Sequence, residues 1–150
     1  MHFEYLKAEG DHFTVGRVIG KAFSEQIFSV VEQAKSFYPK EFGISFEQAL
    51  ALPDFALRLN FAKKELPQLV EEIKGMAEGA GVSFRELFQL NANEFLFEQK
   101  KRAQGCTTLF FKQENGCLIA HNEDWLSEAA EKFFILEAHI QDHFERTSFI

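Results

Sequence analysis

Cysteine and proline are both scarce in these 150 residues: two of the first and three of the second. Two thiols, Cys106 and Cys117, are too few for a disulfide-stapled scaffold, so the fold must rest on an apolar core. Basic charge is also in deficit. The net charge is -7, and the longest run of lysine and arginine is Lys100-Lys101-Arg102, which argues against nucleic acid as a partner, since phosphate backbones demand concentrated positive charge. No apolar run approaches the ~18 residues of a spanning helix, and the opening Met1-His2-Phe3-Glu4-Tyr5-Leu6-Lys7 lacks the apolar stretch of a secretory signal. The expected setting is cytoplasmic, with no membrane contact.

Phenylalanine, by contrast, is abundant. Nineteen residues of it, in a chain 46% hydrophobic, suit a thick apolar interior or a large interface, since each buried ring removes ~150 to 250 Å² from water. The length fits a single domain able to bury a core.

Residues 2 to 7 alternate in part and read as a short strand closed by Glu9-Gly10-Asp11. From Val15 the period changes. Val15, Val18, Ile19, Ala22, Phe23, Ile27, Val30, Val31, Ala34 and Phe37 keep three- and four-residue spacing, which predicts one long helix with a single apolar stripe. Gly16 and Gly20 fall four apart on it; each costs up to ~1 kcal/mol against Ala, so something must pack closely there. Ser45 with Gln48 and Ser83 with Glu86 predict two capping boxes, Pro53 and Pro67 suit first-turn positions, and Gly79 or Gly81 would end the helix begun near Pro67. Residues 14 to about 100 thus read as four or five helices.

After Gly105 the pattern becomes that of strands. Residues 107–112 and 117–121 are rich in β-formers and flank Gln113-Glu114-Asn115-Gly116, where Asn-Gly predicts a hairpin. With Asn115 and Gly116 as the turn, Glu114 faces Cys117, and Cys106 falls opposite Trp125 with Asp124 beside it; a longer turn or a bulge shifts this by a residue or two. That register sets Cys106 and Cys117 eight residues apart along the ladder, ~26 Å, too far for a bridge that tolerates ~7 Å between Cα atoms. A third strand is expected over 133–140. The final Thr147-Ser148-Phe149-Ile150 reads as the opening of another, so the chain is expected to be the front part of something longer.

Gly105-Cys106-Thr107-Thr108, followed by a hairpin and by Asn122-Glu123-Asp124-Trp125, resembles the penicillin acyltransferase family of N-terminal nucleophile cysteine hydrolases. Phe13-Thr14-Val15-Gly16-Arg17-Val18-Ile19-Gly20 is similar to that family's amino-terminal Gly-Arg-x-x-Gly helix, and residues 71–91 are similar to the helix pair ahead of its cleavage site. The family commonly carries an aromatic between the Asn and the Asp, where this chain has Glu123.

The resemblance implies an α+β fold: a mainly helical pro-segment over 1–105 with a short first strand, then, over 106–150, the first strands of an αββα sandwich left incomplete in this chain. It implies self-cleavage between Gly105 and Cys106, with Cys106 as the nucleophile that forms a thioester and passes the acyl group to water or an amine. Asp124 would orient the new amine or hold its charge, Asn122 would position substrate or donate to a developing oxyanion, and Thr108 would assist self-cleavage. No cofactor is implied; an acyl-CoA would be a substrate. The implied partners are a small-molecule acyl donor and acceptor and the remainder of the catalytic chain, and a homo-oligomer is compatible with it.

Other readings of the same residues stand beside this one. A lone cysteine is by default a small buried hydrophobe, Thr107 and Thr108 are ordinary strand residues, and Asn122 to Asp124 suit a solvated turn. Two other classes therefore remain: a non-catalytic binding or assembly module with an inert Cys106, and an enzyme of the same fold but different reaction, such as simple hydrolysis of linear amides or acylated amino acids. His139 and His143, four apart, would share a helix face suited to a metal, but their setting reads as strand passing into loop, and no metal site is expected.

Overall fold

A computed structural model describes residues 4–92, 107–113, 116–122, 134–141 and 146–149. The fold is α+β and mostly helical. β1 (Glu4–Gly10) leads into α1 (His12–Ala22), α2 (Ser24–Phe42), α3 (Phe46–Ala51), α4 (Pro53–Glu65), α5 (Pro67–Ala80) and α6 (Phe84–Asn91). β2 (Thr107–Gln113), β3 (Gly116–Asn122), β4 (Phe134–Ile140) and β5 (Arg146–Phe149) follow.

The described strands form two small sheets. β2 and β3 pair antiparallel with each other, while β1, β4 and β5 make a separate sheet in that order. Within it β1 runs parallel to β4, from Glu4 with Phe134 to Gly10 with Ile140, and β5 runs antiparallel on the far side of β4. Parallel neighbours need a long crossover, and here all six helices lie between them in sequence. β4 alternates strictly: Phe134, Leu136, Ala138 and Ile140 point into the core, where Ala8 of β1 and Val15, Ile19 and Phe23 meet them. The other face is polar. There Glu137 gathers Lys7 Nζ and His139 Nε2, each at 2.7 Å, and accepts from the Tyr5 hydroxyl.

The expected single helix from Val15 to Phe37 is two. The chain leaves helical geometry at Phe23 (φ −117°, ψ 30°), whose ring turns into the core to stack on Phe134 at 3.9 Å between centroids. Periodicity carries across the break because the Phe23 and Ile27 amides still reach Ile19 and Phe23 carbonyls. This division brings the helices among the described residues to six. The helix also starts earlier than its apolar stripe, since the Asp11 side chain caps it by accepting from the Thr14 amide at 2.7 Å. Hydrogen bonds from the Thr14 side chain and then its amide hold the Asp11 carboxyl below its ordinary pKa.

Gly16 and Gly20 do mark a close approach, and its partner is α5. A Cβ on Gly16 would stand 1.9 Å from the Glu72 carbonyl oxygen, and one on Gly20 2.1 Å from that of Met76. The relation is mutual: Gly75 faces the Phe13 carbonyl and Gly79 that of Arg17. Gly79 is therefore a packing residue and not a terminator; Gly81, in the left-handed region at φ 70°, ends α5. His12 Nδ1 and Glu72 Oε2 meet at 3.0 Å at the edge of this contact.

Ser45 and Gln48 form both bonds of a capping box. Ser83 is the N-cap of α6 but makes no side-chain cap bond, and Glu86 instead approaches Lys35 Nζ at 3.5 Å. Pro53 and Pro67 both fall in first turns. A second core joins α2, α3 and α6 through Ala34, Tyr38, Phe46, Ala49 and Leu90, and within it Gln89 donates to the buried Tyr38 hydroxyl at 3.0 Å. Among the described residues, no helix is long and apolar enough to cross a membrane.

Candidate functional site

The hairpin expected after Gly105 is present, with a shifted register. Gln113 pairs with Gly116, Lys112 with Cys117 and Thr107 with Asn122, leaving residues 114 and 115 between the paired ends. The expectation set Glu114 opposite Cys117 and so Thr107 opposite Asp124; the observed ladder replaces those partners by Lys112 and Asn122. The cause is local: Gly116 enters the strand instead of occupying the turn. Because strand periodicity is two, a two-residue shift keeps every side chain on its expected face.

Of the four residues expected to do chemistry, the ladder brings Thr108 and Asn122 to the same end of the hairpin, on neighbouring rungs. Thr108 is exposed and faces His121 across the ladder, a residue read from sequence only as part of a strand. Cys106 and Asp124, and Gly105 of the expected cleavage bond, lie outside the described residues. Cys117 is toward the turn end, opposite Lys112. His139 belongs to strand β4, hydrogen-bonded to Glu137, and His143 is outside the described residues.

The hairpin is apolar on both sides. Phe110 and Ile119 share one face, Leu109, Phe111, Leu118 and Ala120 the other, and all of these are exposed. A cleft of about 760 Å³ lies elsewhere, between α4, α5 and α6, and its lining includes none of the residues expected to do chemistry.

No protein-family model matches the chain. Comparison with characterised proteins is more informative. The chain is 29% identical over 142 residues to the beta-alanyl-dopamine/carcinine hydrolase of Drosophila melanogaster, a match covering 90% of the chain. It is 35% identical over 75 residues, 49% of its length, to the 40 kDa form of the acyl-coenzyme A:6-aminopenicillanic-acid-acyltransferase of Emericella nidulans. Both enzymes are homologues of the chain. It spans 36% of the length of the hydrolase and 21% of that of the acyltransferase. The relatives thus include a hydrolase and an acyltransferase.

Proposed function

We propose that this chain is part of a self-processing enzyme that hydrolyses amides or transfers acyl groups, with Cys106 as nucleophile. The relatives support the class of reaction: in one name an acyl group sits on an amine and is removed, in the other it passes to an amine. One observation carries the assignment to this end of the hairpin. Thr107, bonded to Cys106, pairs with Asn122, so the segment that follows the candidate nucleophile runs beside the strand that leads into residues 123 and 124.

In self-cleavage the Cys106 thiol attacks the Gly105 carbonyl carbon. The S–C bond forms, the Gly105–Cys106 C–N bond breaks, and the thiol proton passes to the departing nitrogen. Water then cleaves the thioester, leaving a Gly105 carboxylate and a free Cys106 amine. Gly105, lacking a Cβ, leaves its carbonyl open to approach. An unperturbed thiol titrates near ~8.5 and an α-amine near ~7.7 to 8.0, so the new amine suits the thiol proton in the mature reaction. The substrate's acyl carbon bonds to sulfur, its amine or thiol leaves with that proton, and water or an amine takes the acyl group. Asp124 orients the α-amine, Asn122 donates to the developing oxyanion, and Thr108 assists cleavage through its hydroxyl.

On this reading Gly105 divides a helical chain over 1–105 from a catalytic chain beginning at 106, and the whole adopts the αββα sandwich with the remainder of the catalytic chain. No cofactor takes part, an acyl-CoA serves only as donor, and a cytoplasmic setting keeps the thiol reduced. Intact mass of wild type beside Cys106→Ala tests it, in a polypeptide carrying the remainder of the catalytic chain. The expected outcome is a fragment starting at Cys106 from wild type alone; an uncut wild type refutes self-processing. Acyl donors supplied with and without an amine acceptor then separate transfer from hydrolysis.

A further inference from the structure

Helix α4 packs poorly for its length. Of its thirteen residues Phe55 alone is buried, while Leu57 and Phe61 are 67% and 65% exposed. They stand one turn apart on the wall of the cleft to which the exposed Leu66 and Leu69 also contribute. A short helix draws most of its stability from burying an apolar face, so a face left this open calls for a cover.

The charges around that face say what the cover is. Asp54, Leu57, Phe61 and Lys64 succeed one another at spacings of three, four and three residues, which at ~100° per residue keeps all four within about 80° of one stripe. Acid stands at one end, base at the other, and the side chains of Asp54 and Lys64 are 36% and 81% exposed. Three, four, three reads the same in both directions. A two-fold axis between Leu57 and Phe61 therefore sets Leu57 against the second copy's equivalent of Phe61, and Asp54 against its equivalent of Lys64. A parallel pairing would oppose Asp54 to its own copy and Lys64 to its own, so charge selects the antiparallel one, in which the helix dipoles also oppose.

We infer that α4 is a self-complementary interface and that its partner is a second copy of this chain, crossing it antiparallel. Asp54 also holds Arg58, at 2.9 Å from Oδ2 to Nε though not aligned as a hydrogen bond, and Lys64 holds Glu65 at 2.7 Å. Lys64 and Glu65 lie at the surface, where exchange for a facing partner costs little, whereas Arg58 is only 18% exposed, so Asp54 meets the second copy's lysine while keeping Arg58.

Sedimentation equilibrium of the full chain over a wide concentration range is expected to show a monomer–dimer equilibrium. Asp54→Lys and Lys64→Asp should each weaken the dimer at least about tenfold, because each sets like charges opposite one another twice. An equimolar mixture of the two variants should recover the wild-type constant to within about threefold, because both facing pairs then become opposite in sign. Leu57→Gln with Phe61→Gln, which touches no core residue, should leave a monomer of unchanged helical circular dichroism. The inference is overturned by a wild type that stays monomeric, by a dimer indifferent to the Leu57 and Phe61 changes, or by a mixture no tighter than its components. Should Asp54→Lys fail to fold, the glutamine pair decides alone.

Discussion

At the residue scale, the four glycines of the α1–α5 crossing carry the sharpest expectation. Gly16→Ala drives a methyl to 1.9 Å from the Glu72 carbonyl oxygen, and neither backbone yields without parting the helices. Urea titration should show a loss of about 3 kcal/mol or more, the upper range for overpacking. Gly43→Ala meets nothing within 4 Å and suffers only from its φ of 71°, so about 1 kcal/mol is expected there. The sequence disclosed half of this contact, because two glycines inside an apolar stripe are costly unless something exploits them. Gly75 and Gly79 have the same spacing, yet Gly79 lies close enough to the end of α5 to pass for a terminator. Which glycine stops a helix is decided by φ, and composition does not display φ.

At the element scale, boundaries were legible where they are written in local hydrogen-bonding chemistry. Ser45 and Gln48 satisfy one another's backbone amides with no outside help, and the sequence shows both partners. Ser83 and Glu86 present the same kind of pattern, but Glu86 is drawn to Lys35 on α2 and the side-chain cap is not made. Ser45→Ala should therefore cost about 1 kcal/mol in chemical denaturation, and Ser83→Ala should stay within about 0.5 kcal/mol of wild type. The break at Phe23 was hidden for a related reason. Its spacing fits a continuous stripe, and only Phe134, more than a hundred residues later, pulls the ring out of line. The hairpin was legible from Asn115-Gly116, though its register was not, since admitting Gly116 to the strand or leaving it in the turn is a small energetic choice. For the candidate site this matters directly: the register selects Asn122 over Asp124 as the partner of Thr107.

At the scale of the whole molecule, local patterns foretold the strands without foretelling their neighbours. Nothing near β1 announces that it lies parallel to β4, because that pairing is settled by one shared apolar face assembled from both ends of the chain. The consequence reaches into the proposed processing. A cut after Gly105 would leave β1 and α1 in one polypeptide and β4 in the other, joined by seven rungs and by a core to which each contributes half. What was intramolecular folding would become assembly of two strangers. The mature form is then expected to melt at a temperature that rises with protein concentration more steeply than that of the uncut Cys106→Ala form across a calorimetric dilution series. Maturation of this kind is a one-way journey: once melted apart, the pieces must find each other by diffusion, and the polypeptide that guided their first meeting no longer exists.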